Sequence, residues 1–432
     1  LKPVVFVSLN RMHIELGYGR GALSLDYDEA RYRVLENAET EARPLTDAEI
    51  GEAIDAPVES PTLEELLAAG DTVLIVVSDA TRASASAQIV NLLVRRLIET
   101  GISPRDINII FATGLHRAVT LEEKRELLTP FIVQRIKTLD HDASDSSSLI
   151  QRATTARGTP VELNRALTEH THVILTGSIG FHYFAGFTGG RKSISPGLAG
   201  ARTIEATHSL ALDFERGGRR AGVGSGLLDG NAVHEECERV AGEVAPTFLI
   251  NAVTDERGRA VRVYAGDWRA AHRLGCVEYA ASHSVKIAER REVVIAGCGG
   301  APFDLNLIQA HKALEMAAHA CAEGGTIILA AECPNGLGRA DFLKWFEAAN
   351  SRALEARLGE AYEVNGQTAW SLLLKAERFR IMLVSELADE DVRLMRMTPV
   401  RTLAEALARV DSRADGYVLP RGAALLPVVA GG

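Results

Sequence analysis

Residues 72–78 (TVLIVVS) form an uninterrupted apolar, β-branched run, and a helical pattern over 86–100, closed by Gly101, follows directly. Such a run suits a strand buried on both faces, as in a parallel sheet covered by helices. A second strand is expected over 107–112, and Thr120 with Glu123 then forms a capping-box signature for the next helix. Strand, helix, strand, helix in this rhythm implies right-handed crossovers and a parallel sheet, with ligands outside the carboxyl ends of the strands.

The rhythm returns after residue 280. Strands are expected over 293–296, 326–330 and 381–384, with helices over 305–322, around 340–349, over 369–378 and over 403–410. The predicted fold class is therefore α/β, with two α/β domains, mainly parallel sheets and an active site in the cleft between them. The expected boundaries are 1–280 for a catalytic domain and 281–415 for a Rossmann-like domain, with charged residues 289–292 as linker. The tail, 416–432, reads as one or two strands folding back on the first domain. The opening run, 1–10 (LKPVVFVSLN), reads as a strand.

Bulk properties narrow the function. The chain has 432 residues and a formal net charge of −10 with no compensating basic block, which argues against a nucleic-acid surface. No apolar run approaches the roughly 20 residues that span a bilayer. The five cysteines are scattered and never form a CxxC pair, as expected of reduced thiols. With no signal-peptide pattern at the start, the expected location is cytoplasmic.

Reactive side chains concentrate in 180–208, GFHYFAGFTGGRKSISPGLAGARTIEATH. Within it, GFTGGRKS nearly matches a Walker phosphate loop, G-x-x-x-x-G-K-[ST]. Arg191 stands where the second glycine is required, and Pro196-Gly197 would interrupt the helix that Lys and Ser should open. Ser193 and Ser178 lack a G-x-S-x-G setting, dehydrogenase glycine fingerprints are absent, and the histidines are too dispersed for a zinc hydrolase. What remains is a lysine among glycines, suited to a covalent or anion-binding role, with two strand-end histidines, His116 and His182. Asp79 could serve as a helix N-cap, and His208, one helical turn after Ile204, could be a packed core histidine.

Four ordered motifs carry a resemblance: DATR (79–82), TGLHR (113–117), the GFHYFAGFTGGRKSISPG block with His208 beyond it, and Gln309 with Lys312. In this order and spacing the chain resembles the nickel-dependent lactate racemases over nearly its whole length. The resemblance implies a racemase or epimerase of a 2-hydroxy acid, with the nickel-pincer nucleotide (nickel(II)-pyridinium-3,5-bisthiocarboxylic acid mononucleotide) as cofactor. It implies Lys192 as the covalent tether, His208 as the nickel ligand, and His116 and His182 as the acid/base pair. Asp79, Ala80, Thr81, Arg82, Gly189 and Gly190 would line the cofactor, and Arg82, Gln309, Lys312 and Trp370 would bind substrate. It further implies reversible hydride transfer from C2 through a 2-keto acid, and cofactor-synthesis enzymes as maturation partners. The alternative is a non-catalytic nucleotide- or anion-binding protein using the glycine-rich loop.

The chain departs from the family pattern where Ala83-Ser84-Ala85-Ser86 replace a proline after the DxTR motif. It departs again at Ile308, where tyrosine is common, and at His311, where smaller residues are usual. The last two fall at the expected substrate end, which leaves open a bulkier or more anionic 2-hydroxy acid in place of lactate.

Overall fold

The computed structural model describes residues 11–37 and 42–430, so the strand expected over 1–10 lies outside the described residues. The chain divides into two units, residues 39–282 and residues 1–38 with 283–432.

The unit of 39–282 is built on a six-stranded sheet in the order Ala260–Gly266, Phe248–Thr254, His172–Ser178, Val73–Ser78, Ile107–Ala112, Lys137–Leu139. Five strands are parallel; Ala260–Gly266 runs antiparallel at one edge. Val73, Ile75 and Val77 are fully buried, as a central strand requires, and pair in register with Ile107, Ile109 and Phe111. The helix Ser86–Glu99 buries Ile89, Val90, Leu93, Val94 and Leu97, a single helical stripe. It is stopped by Gly101 at φ +96°, a conformation that glycine adopts without a Cβ penalty. Thr120 and Glu123 make the expected capping box on the helix Leu121–Arg135.

Three loops leave the carboxyl ends of adjacent central strands. They carry 79–82 after Val73–Ser78, 113–117 after Ile107–Ala112, and 179–193 after His172–Ser178. Sheet topology therefore delivers three of the four motifs to one edge.

The other unit holds a six-stranded, wholly parallel sheet. Its order is Thr398–Val400, Arg380–Val384, Cys321–Ala330, Arg291–Gly297, Gly416–Leu419, Tyr32–Val34. Here the structure differs from the boundaries read from sequence. Gly416–Leu419 pairs with Arg291–Gly297 on one side and Tyr32–Val34 on the other, so the tail and the N-terminal segment both belong to this unit. The run GYVL is buried throughout, and only a sheet with an open edge could accept it. The charged stretch 289–292 is no linker either: Arg291 opens the strand and donates to the carbonyls of Arg31 and Gly416. The helix expected around 340–349 is a 3-10 turn, Phe342–Glu347, and the regular helix is Ser351–Glu360, capped by Asn350.

Within this unit the helices Leu307–Ala320 and Val364–Arg378 are joined by a buried ion pair between Glu315 and Lys375. The Lys375 ammonium also donates to the Ser371 hydroxyl at 2.8 Å. Removing one partner of a buried pair strands the other, at a cost of about 3–5 kcal/mol. Lys375→Met is therefore expected to lower unfolding stability by about 3 kcal/mol in urea titrations, whereas the double replacement of Glu315 and Lys375 by Met should recover most of that loss.

Candidate functional site

Asp79 sits where the first central strand ends. It is 5% exposed and is not a helix N-cap, since that helix begins at Ser86 behind Ala85. Its carboxylate accepts from the ring Nδ1 of His116 at 2.6 Å and from the Thr81 hydroxyl at 2.6 Å. Burial pushes the Asp79 carboxyl up, but the His116 hydrogen bond and the charges of His116 and Arg82 outweigh it and hold Asp79 at about 2. An ionised carboxylate only accepts, so Nδ1 of His116 carries a proton, and in the neutral ring it is Nε2 that has the lone pair. The His116 side chain is 46% exposed, which leaves that nitrogen available to a substrate.

The TGLHR loop is pinned to the proline-glycine turn. The amide of Gly114 donates to the Gly197 carbonyl at 2.9 Å, and the Thr113 hydroxyl donates to the His141 carbonyl at 3.0 Å.

His182, Lys192 and His208 converge on a residue that the sequence did not single out, Phe184. The His182 ring meets the Phe184 ring edge-on at 4.4 Å, the His208 ring meets it at 5.0 Å, and the Lys192 ammonium lies 5.5 Å over it. Phe184 is itself buried, in an apolar cluster with Ala211, Val233 and Cys237. Burial pushes Lys192 down to about 7, helped by the charges of Arg191 and Arg82. Burial, and then the charge of Lys192, depresses His208 to about 3. The Ala185 amide donates to Nδ1 of His182 at 3.2 Å, which places the proton of a neutral His182 ring on Nε2. The two histidines thus rest in opposite tautomers.

An amine that titrates near neutrality is a nucleophile without help from a base. As pH rises through about 7 the ammonium of Lys192 loses its proton, well before ordinary lysines do. An amine-acylating reagent is expected to modify Lys192 of the cofactor-free protein faster than the surface lysines near neutral pH. The selectivity should fade in alkali, where every lysine becomes reactive; peptide mapping by mass spectrometry reads both.

The glycines of the block are required from beneath. Gly189 and Gly190 have φ of +76° and +55°, and a Cβ on either would stand 2.5 Å from Asn251 Oδ1 or the His272 ring, respectively. Asn251 Oδ1 accepts from the Gly190 amide at 2.8 Å. Neither Asn251 nor His272 carried a local signal in sequence, because each comes from a region far along the chain. Gly190–Ser193 is one 3-10 turn, and the next helix starts only at Ala201, so no Walker-type loop-to-helix junction exists. Ser193 donates to the Thr176 carbonyl at 3.3 Å, a structural role.

Gln309, Lys312 and Trp370 stand in the other unit. Lys312 donates to the Gln309 side-chain oxygen at 2.6 Å on the helix Leu307–Ala320, whose start is capped by Asn306. Trp370 is 2% exposed, and its indole N–H meets no acceptor among the described residues. His311, beside Lys312 in sequence, is 1% exposed and turns toward Glu315, with 3.9 Å between its Nε2 and the carboxylate oxygen. Among the described residues no three His, Cys, Asp or Glu side chains gather as a metal cage. His208 would be a lone protein ligand, with the remaining donors supplied by a chelating cofactor.

Comparison with known proteins gives the family and the fold. Residues 18–218 match the lactate racemase N-terminal domain, and residues 286–424 match the lactate racemase C-terminal domain. The lactate racemase of Lactiplantibacillus plantarum is 31% identical, covering 95% of this chain and 98% of its own length. That of Thermoanaerobacterium thermosaccharolyticum is 28% identical over 96% of this chain and 99% of its own. The solved structure of the latter apoprotein superposes with a TM-score of 0.87, covering 96% of this chain and all of the other. A Thermotoga maritima protein, 18% identical, shares the fold with a TM-score of 0.71, covering 91% of this chain and all of that one. By family models spanning both units and by full-length identity, the chain belongs to the lactate racemase family.

Proposed function

We propose that this racemase inverts C2 of a 2-hydroxy acid with a nickel-pincer nucleotide tethered to Lys192, its nickel ligated by His208. The observation that carries the reading is the convergence of Lys192, His208 and His182 on Phe184, with Lys192 depressed to about 7 and His208 to about 3. These residues fit the group. A lysine held near neutrality presents a nucleophilic amine for attachment, and an imidazole kept unprotonated offers a lone pair to a metal. When bound, the cofactor supplies a hydride acceptor, so that the substrate passes through a planar 2-keto acid and no C2 carbanion forms.

The chain's own residues supply the proton chemistry. The Nε2 lone pair of His116 takes the substrate hydroxyl proton, and Asp79 stabilises the imidazolium that results. His182, with its proton at Nε2, donates a hydrogen bond to the substrate oxygen and is the partner of His116 in the acid/base pair, while the His116 imidazolium returns its proton to the keto oxygen. Asp79, Ala80, Thr81, Arg82, Gly189 and Gly190 line the cofactor. Arg82 in one unit, and Gln309, Lys312 and Trp370 in the other, are the substrate-binding residues that the family resemblance implies; the Trp370 indole N–H has no acceptor among the described residues. The nucleotide is delivered by cofactor-synthesis enzymes in the cytoplasm. No helix among the described residues is long and apolar enough to cross a membrane.

The test is a panel of enantiopure 2-hydroxy acids incubated with protein made alongside the cofactor-synthesis enzymes and read by chiral chromatography. Interconversion of at least one acid, with a Lys192-dependent mass increase, is expected. Retention of every enantiomer by mass-loaded protein would sink the racemase chemistry. Nucleotide binding that survives Lys192→Ala, with no C2 exchange, would favour a passive anion-binding protein.

A further inference from the structure

The sequence left Arg191 unexplained, a large cation where a phosphate loop demands glycine. In the structure it is 1% exposed, and its guanidinium reaches back into the loop that precedes it. Nη2 donates to the carbonyls of Ala185 at 2.6 Å and Phe187 at 3.0 Å, and Nη1 donates to that of Gly189 at 3.3 Å. Gly186, at φ +78°, turns the chain so that the Phe187 amide also donates to the Ala185 carbonyl at 2.9 Å, and one planar fork gathers the carbonyls of Ala185, Phe187 and Gly189.

These carbonyls belong to the segment that joins His182 to Lys192. Ala185, which gives its carbonyl to Arg191, gives its amide to Nδ1 of His182. Phe187 lies in the short strand Gly186–Phe187, whose partner strand is Phe181–His182, with His182 opposite Gly186. Two independent links, one side-chain and one main-chain, therefore run from Arg191 to His182, while Lys192 is its covalent neighbour.

We propose that Arg191 is a positioning residue that sets the ring tautomer and place of His182 relative to Lys192, by clamping the carbonyls of Ala185, Phe187 and Gly189. The inference rests on the functional reading above for its catalytic consequence, but not for its structural one. Clamping keeps the Ala185 amide aimed at Nδ1, so the ring proton stays on Nε2. A lysine at this position offers a compact point charge and cannot span the same three acceptors.

The test uses Arg191→Lys and Arg191→Met in the full-length protein. Without cofactor, nitrogen-15 spectra of the ring-labelled histidines should show His182 of the wild type as a single Nε2–H tautomer. Both variants should show an averaged tautomer mixture at temperatures where they remain folded by circular dichroism. With the cofactor loaded, as judged by intact mass, kcat should fall by about 100-fold for a displacement near 1 Å, with KM changed much less. Wild-type ring signals and kcat in a variant that merely melts earlier would overturn the proposal and leave Arg191 as a stabilising residue. Should neither variant fold, protection of the Ala185 amide from hydrogen exchange in the wild type decides: protection near that of the core strands is expected, and rapid exchange overturns the clamp. If the wild type itself acquires no mass at Lys192, the functional reading fails, while the cofactor-free spectra still judge Arg191.

Discussion

Lys192→Ala is expected to abolish racemisation completely, and with it the mass increase of protein produced beside the cofactor-synthesis enzymes. No other amine can substitute: Arg191 next to it is committed to main-chain carbonyls, and an ordinary surface lysine is charged near neutrality. The loss should therefore be at least about 10³-fold, since covalent tethering and orientation are removed together. A second measurement separates this from misfolding. The folded protein holds Lys192 at about 7 against an ordinary 10.5. Between those values the unfolded chain binds the extra proton, so stability rises with pH there, and below about 7 the burial penalty is fully present. The isosteric Lys192→Met apoprotein should melt no lower than the wild type at neutral pH. The advantage should close as pH climbs toward 10.5. A variant that melts well below the wild type across this range would show that the lysine is held for stability.

Asp79→Asn is expected to cost about 10²–10⁴-fold in kcat with little change in KM, as when the carboxylate that orients a catalytic histidine is neutralised. The amide keeps the shape but offers a donor as readily as an acceptor. Nδ1 of His116 can then lose its proton to Nε2, which no longer has a lone pair for the substrate hydroxyl. Stability carries an independent signature. Asp79 is held at about 2 against an ordinary 3.8, so its contribution is fully present above 3.8 and is lost as pH falls through about 2. Wild type and variant should differ in unfolding free energy at neutral pH and converge in strong acid. An equal gap at all pH values, or wild-type kcat in the variant, would remove Asp79 from the mechanism.

Local chemistry made several features readable in advance. The strand Ile107–Ala112 falls on the predicted residues, because five apolar residues in six, three of them isoleucine, bounded by turn residues leave few alternatives. The Thr120–Glu123 capping box is a contact between residues three apart, and it forms as expected. By contrast, no strand is predicted over 248–254 and 260–266, although they are the two strands that complete one side of the sheet. Their runs are apolar, but their pairing with His172–Ser178 joins residues distant in sequence.

The sequence by itself determined the alternation of elements, the carboxyl-end loops and the residue types of the site. These depend on side-chain period, on turn chemistry and on contacts within a few positions. Tertiary structure alone decided which sheet would take the strands Tyr32–Val34 and Gly416–Leu419, because any open parallel edge offers the same hydrogen bonds. It also decided that Phe184 gathers His182, Lys192 and His208, and that Arg191 turns inward to hold the loop that carries them. Burial did the same for ionisation: nothing in the letters of Lys192 or His208 announces values near 7 and 3, which arise only when folding strips water from both.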